Sequence, residues 1–127
     1  MKIKIQTSKA SKAIGPYSQA IMSDKFVFTS GQIYLSPDGK LVEGTIEKQT
    51  HQVMENLKVV LEEAGASFRD VVKATMYVTD MSLYSQINEV YAGYMTEPFP
   101  AREAVEVKAL PKGAKIEISM IAIRTDD

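Results

Sequence analysis

The stretch TIEKQTHQVMENLKVVLEEAGASFRDVVKATMYVT, from Thr45 to Thr79, decides the fold class because the period of its apolar residues changes part-way along. Ile46, Val53, Leu57, Val60, Leu61 and Ala64 fall on one helical stripe. Thr45 is placed to cap the helix start, Glu47 suits the positive end of the helix dipole, and Gly65 stands where a left-handed C-terminal cap belongs. Val71 to Thr79 is then rich in β-branched residues and reads as a strand.

Working outward, Lys2 to Gln6 alternate Ile with polar residues, and Gln19–Ser23 and Lys25–Ser30 read as a hairpin turning at Ser23-Asp24. Ser36-Pro37-Asp38-Gly39 is a turn signal. Downstream, Leu83, Ile87, Val90, Tyr91 and Tyr94 mark a second amphipathic helix, with Pro98 beyond its end. Arg102–Lys108 and Ala114–Ile123 read as two closing strands joined through Leu110-Pro111-Lys112-Gly113. This order predicts an α+β fold, a mixed β-sheet with two helices packed on one face.

The 127 residues, 45% hydrophobic and 24% charged, fit a single domain over 1–127. Fifteen basic against sixteen acidic residues give a net charge of -1, which argues against nucleic acid as a partner and against an RNA-cleaving role. No apolar run has transmembrane length and no signal-like stretch opens the chain, so the expectation is no membrane partner and a cytoplasmic setting. Without Cys and with His51 as the only histidine, thiol nucleophiles and Cys/His zinc sites are excluded, and no metal is expected. His51 itself shares a helix face with Glu47, Glu55 and Lys58, away from the apolar stripe, and reads as a solvated residue.

Side chains alternate across a strand, so Ile116, Ile118, Met120 and Ala122 share one face of the last strand, opposite Glu117, Ser119, Ile121 and Ile123. In the preceding strand Val105 and Val107 oppose Arg102, Ala104 and Glu106. If the apolar sets face the helices, Arg102 and Glu117 both project from the other face. That face mixes charge with Ile121 and Ile123, a surface that another subunit tends to cover. From spacing alone, a cross-strand ion pair of small net value is the reading that Arg102 and Glu117 fit better than a functional site.

Phe99-Pro100-Ala101-Arg102, Val105-Glu106-Val107, Leu110-Pro111 and Lys115-Ile116-Glu117-Ile118 resemble the C-terminal signature of the RidA (YjgF) family. Ile14-Gly15-Pro16-Tyr17-Ser18-Gln19 and Thr29-Ser30-Gly31-Gln32 are similar to its N-terminal segments, so the resemblance runs from about Ala13 to Ile123. It implies a chorismate-mutase-like α+β fold, a homotrimer with clefts between subunits, and no cofactor. It also implies deamination of 2-iminoacids such as 2-iminobutanoate and 2-iminopropanoate, released by pyridoxal-phosphate dehydratases, to 2-ketoacids and ammonia. A non-catalytic regulatory module for small 2-ketoacids or amino acids, or a chaperone-like interaction protein, is the alternative on the same scaffold.

On this resemblance Arg102 would grip the substrate carboxylate with its planar fork, and Glu117 would take a proton from the attacking water. Tyr17 and Ser30 would line the cleft, and the backbone amides near Gly31 and Ala104 would be further donors. Tyr84 and Asn88 of the second helix would approach it, from the same or the neighbouring subunit; read without the resemblance, the same two residues fit packing and solvation equally well. Two departures stand out: Glu103 occupies a position where the family often has a small residue, and Ala104 one where cysteine is common. Glu103 is therefore a candidate partner for Arg102 or its neighbours.

Overall fold

The structure is a computed structural model that describes residues 1–125. Six strands form a mixed sheet in the order β1-β2-β3-β6-β4-β5, with β1 Lys2–Ile5, β2 Ala20–Ser23, β3 Phe26–Thr29, β4 Val71–Val78, β5 Ala101–Glu106 and β6 Ile116–Ile123. Only β4 and β5 run parallel, and α2 (Tyr84–Tyr94) makes the crossover that parallel neighbours require. The other helix, α1 (Ile46–Glu63), precedes β4.

Both ends of α1 are capped as its sequence predicts. Thr45 accepts from Lys48 N at the start of α1. At its end Gly65, with φ 80, and Ala66 bond back to Glu62 O and Leu61 O, closing a Schellman turn. The hairpin is displaced by one residue from its expected place: Ser23 still pairs with Phe26, and the two-residue loop is Asp24-Lys25. Asp24 adopts φ 56 there, a left-handed conformation that Asp tolerates better than most residues. The second helix starts after a 3-10 turn at Met81–Leu83. Leu83 therefore precedes its first turn instead of lying on the stripe.

Both helices cover one sheet face. Val53, Leu57, Val60 and Leu61 of α1 and Ile87 of α2 are sealed against Val27, Ala74, Met76, Val78, Ile116, Ile118 and Met120. At roughly 1.5–3 kcal/mol for each fully buried side chain of this kind, this layer is the main favourable term in folding. Asn56 lies on the same buried stripe, 1% exposed, and is satisfied: its Nδ2 donates to Ile33 O and Leu35 O at 3.1 and 2.9 Å. It ties the segment after β3 to α1.

One expectation about the sheet is corrected. Ala74, Met76 and Val78 pair in register with Arg102, Ala104 and Glu106, so these three face the helices, and Val105 lies 43% exposed on the other side. Apolar alternation fails on β5 because it is an edge strand, where α2 offers hydrogen-bonding and aromatic groups in place of a closed apolar layer. Glu117 is opposite Tyr77, on the face away from the helices. Arg102 and Glu117 thus leave the sheet on opposite faces and cannot form a cross-strand pair.

Candidate active site

The expected site residues fall into two separate clusters. In the first, Arg102 rises from β5 beneath α2. Its Nη1 donates to Asn88 Oδ1 at 2.6 Å and its Nη2 to Tyr84 Oη. The guanidinium carbon lies 5.0 Å from the Tyr91 ring centroid and 5.5 Å from that of Tyr84, within cation–π range. Among the described residues no carboxylate pairs with Arg102. Two neutral acceptors and two aromatic faces orient a cation and leave its charge uncompensated.

Tyr84 and Asn88 are one helical turn apart, which is why both reach the same guanidinium. Tyr91, three residues further on, was legible only as a member of the apolar stripe. It is 5% exposed and its hydroxyl has no hydrogen-bond partner among the described residues. Burial raises its pKa, with the charge of Arg102 acting the other way. Ala104 follows Arg102 on the same strand face. Val107 N donates to Val78 O, so the period of two turns the Ala104 amide away from β4, toward the open edge of the sheet. Beside Arg102 opens a cavity of about 360 Å³ lined by Asn88, Tyr91, Ala92, Met95 and Phe99.

The second cluster gathers Tyr17, Ser30, Gly31 and Glu117 around a different cavity, of about 390 Å³, and the two cavities share no lining residue. Gln32 and Ile118 exchange backbone hydrogen bonds at 2.9 and 3.1 Å, drawing the chain across β6 beside Glu117. A Cβ on Gly31 would stand 2.2 Å from Glu117 Oε2, so only glycine leaves room for the carboxylate in this position. Half-burial raises the Glu117 pKa above that of an ordinary glutamate. A raised pKa makes the ionised form a stronger base.

Ser30 Oγ donates to Ser18 O at 2.5 Å, joining the strand exit to the Tyr17 loop. Tyr17 is 56% exposed and its hydroxyl accepts from Ile14 N at 3.4 Å, so it presents its ring to the cavity mouth without being packed into the core. The loop itself hangs on Gln19, which is 3% exposed; its Oε1 accepts from Thr7 N, and its Nε2 donates to Thr7 O and Ser11 O. Gln19 was not picked out from the sequence, although a glutamine inside an apolar strand start was available as a signal.

Glu103 points to the face opposite Arg102 and pairs with Lys73 Nζ at 2.8 Å, so it does not touch the guanidinium. His51 is exposed, as expected, and hydrogen-bonds with Tyr94, which in turn donates to Glu55 at 3.0 Å. Burial first, and Glu55 second, push the Tyr94 phenol up to about 12. This group joins α1 to α2 and takes no part in either cavity.

A family model described as Endoribonuclease L-PSP matches residues 7–124. The chain belongs to that family. Within it, a RutC family protein of Pyrococcus horikoshii is 52% identical over 125 residues, covering 98% of this chain and 99% of that protein. The human 2-iminobutanoate/2-iminopropanoate deaminase is 44% identical over 121 residues, covering 94% and 88%. The crystal structure of RidA from an Antarctic Psychrobacter superposes with a TM-score of 0.91 at 45% identity, covering 95% of this chain and 98% of that one. The resemblance to RidA is thereby carried from motifs to the whole backbone, and the L-PSP chain described here shares its open mixed sheet with two helices. No helix among the described residues is long and apolar enough to cross a membrane.

Proposed function

We propose that this chain is a 2-iminoacid deaminase whose site is completed only when two copies meet, the Arg102 cluster of one against the Glu117 cluster of the next. The carrying observation is the arrangement of the two clusters. A preorganised cation with no carboxylate partner among the described residues and a desolvated carboxylate sit on opposite faces of one sheet. Either cluster alone lacks half of the chemistry. An interface that joins two different patches is heterologous, and it closes into a ring when the rotation permits. A homotrimer with three clefts, in a chorismate-mutase-like assembly, meets that requirement. It also covers Phe26, Phe28 and Ile123, each more than a third exposed on the face away from the helices.

In this reading Arg102 binds the substrate carboxylate, with Asn88 and Tyr84 as positioning residues that hold its fork. Glu117 accepts a proton from water as the water oxygen bonds to the imine carbon. It returns that proton to nitrogen and then carries the proton of the new hydroxyl to nitrogen as well, so that the C–O bond becomes double as the C–N bond breaks, and 2-ketoacid and ammonia leave. Water is the only co-reactant and the atoms balance. Ser30, Gly31 and Tyr17 shape the wall beside Glu117, and the outward Ala104 amide is a further donor to the anion. Imines such as 2-iminobutanoate and 2-iminopropanoate, the products of pyridoxal-phosphate dehydratases, carry the required carboxylate beside an electrophilic carbon.

The test is subunit mixing. Arg102→Ala and Glu117→Gln proteins should each keep only a small residual activity toward freshly generated 2-iminobutanoate. Unfolded and reassembled together, they should regain ketoacid and ammonia release, because some clefts then pair an intact Arg102 with an intact Glu117. Failure of the mixture to recover, with each variant folded and assembled, overturns the shared cleft. Wild-type protein that binds 2-oxobutanoate yet releases no ammonia belongs to the regulatory-module reading instead.

A further inference from the structure

The buried amides and hydroxyl of Gln19, Asn56 and Thr50 all hydrogen-bond inside the protein. The hydroxyls of Tyr17, Tyr34, Tyr84 and Tyr94 are partnered too, with Ile14 N, Lys115 N, Arg102 and Glu55. Against that pattern, the Tyr91 hydroxyl is the one buried side-chain oxygen or nitrogen among the described residues that has no partner. An unmade hydrogen bond of this kind costs stability, and phenylalanine would fill the same space and offer Arg102 the same cation–π face without that cost. The ring therefore accounts for the packing, and the hydroxyl is left to be explained. Its position is informative. Tyr91 lines the cavity beside Arg102, whose guanidinium stands 5.0 Å from the ring centroid and donates to Asn88 and Tyr84. A donor lacking an acceptor and a cation lacking a carboxylate thus share one cavity wall, and an anionic oxygen completes both.

We propose that Tyr91 Oη is a hydrogen-bond donor to the carboxylate that docks on Arg102, held without a partner in the free chain so that the substrate anion is its first acceptor. The proposal rests on the deaminase reading for the place of the carboxylate and adds a substrate-contacting residue to that site. The hydroxyl is closed to solvent, so the bond forms as the Arg102 side chain shifts to receive the anion. No water has to be stripped from the hydroxyl at that moment. Its desolvation was completed on folding, and a donor prepared in this way binds without further reorganisation. Burial, opposed by the charge of Arg102, keeps the phenol pKa above the ordinary tyrosine value, so the group stays protonated and able to donate.

The experiment is Tyr91→Phe in the assembled protein, with 2-oxobutanoate binding by titration calorimetry, imine kinetics and denaturant unfolding measured side by side. The variant should unfold at the same or a higher denaturant midpoint, because an unsatisfied hydroxyl has been removed. Its Kd for 2-oxobutanoate should rise by ~10–100-fold, the size of one hydrogen bond to a charged group. KM for 2-iminobutanoate should rise with it while kcat stays within about threefold, since a bond to the carboxylate is made equally in the ground and transition states. A Kd within about twofold of wild type in folded, assembled Tyr91→Phe protein overturns the proposal. So does a loss of affinity matched by a loss of stability, which would show that the hydroxyl has its partner in the fold. Wild-type protein that binds 2-oxobutanoate but hydrolyses no imine ends the deaminase reading alone, and the Kd of Tyr91→Phe still decides the role of the hydroxyl. Wild-type protein that does not bind 2-oxobutanoate ends this proposal.

Discussion

The two clusters solve opposite problems. Arg102 is held by what surrounds it: Asn88 and Tyr84 accept its N–H groups, and the faces of Tyr84 and Tyr91 shield it without neutralising it. Glu117 is held by what is missing near it, the side chain that any residue other than glycine would place at position 31. The first cluster is therefore sensitive to the shape of the charged group, and the second to the volume of its neighbour. A cation can be aimed by several weak neutral contacts, whereas a desolvated carboxylate needs empty space kept beside it.

That contrast is most exposed by Arg102→Lys. Lysine keeps the charge but presents one point in place of a fork, so Asn88, Tyr84 and a carboxylate cannot all be served at once. We expect kcat/KM for imine hydrolysis to fall by ~10²–10³-fold with the assembly mass unchanged; near-normal rates would remove Arg102 from the site. Gly31→Ala attacks the other cluster through volume alone. The colliding atoms belong to the flexible end of Glu117, so the side chain should swing away with little loss of stability. Displacement of the carboxylate by about an ångström should lower kcat by on the order of 10²-fold. A variant that loses stability and keeps its rate would show that Gly31 serves the fold and leaves Glu117 undisturbed.

The pH dependence sharpens the comparison further. Glu117 has a raised folded pKa because of burial, so it must ionise above the ordinary value of 4.5 before it can act as a base. The acid limb of kcat/KM should lie above that value and be absent from the residual activity of Glu117→Gln. The linkage has a definite sign: a raised folded pKa favours the native state at low pH, and this advantage is lost as pH rises through the folded pKa. Glu117→Gln should accordingly gain stability relative to wild type as pH climbs through that window, measured by denaturant unfolding at a series of pH values. A limb at or below 4.5 would mean that the neighbouring copy's Arg102 outweighs burial in the assembled cleft.

How much of this was legible in the sequence depends on whether a residue's role is local. The stripe of α1, its Thr45 cap and its Gly65 turn are local consequences of spacing and were readable, as were all six strands. The face assignment of β5 was not, because it is set by α2 rather than by alternation, and Arg102 moved to the helix side with it. Motif resemblance found Tyr17, Ser30, Gly31 and Glu117 together, yet it could not tell that Arg102 stands apart from them within one chain. Gln19 and Asn56, the buried amides that fix the loops around the Glu117 cavity, were passed over, although Asn56 falls squarely on the apolar stripe. Asn56→Ala should cost ~1–3 kcal/mol, since the Leu35 carbonyl would lose the amide donor inside the protein and the Ile33 carbonyl would keep only Leu35 N. Thermal unfolding would measure that loss, and a shift under about 0.5 kcal/mol would indicate that water replaces the amide.

The smallest effect belongs to the residue that looked most troublesome beside the candidate anion site. Glu103 adjoins Arg102 in sequence, but adjacent residues of a strand point to opposite faces, and its carboxylate pairs with Lys73 across the β4–β5 boundary. The two side chains are 35% and 63% exposed, so solvent screens the pair and holding two flexible chains together offsets much of the attraction. Glu103→Ser should therefore change stability by only ~0–1 kcal/mol and leave imine hydrolysis within about twofold of wild type. The measurement is unfolding free energy beside kcat/KM, repeated at low and high salt. Were the carboxylate coupled to Arg102 instead, its removal would tighten binding of 2-oxobutanoate, and the gain would shrink as salt rises. A salt-sensitive increase in ketoacid affinity would place Glu103 in the field of the site and end the separation of the two faces on which the shared cleft depends.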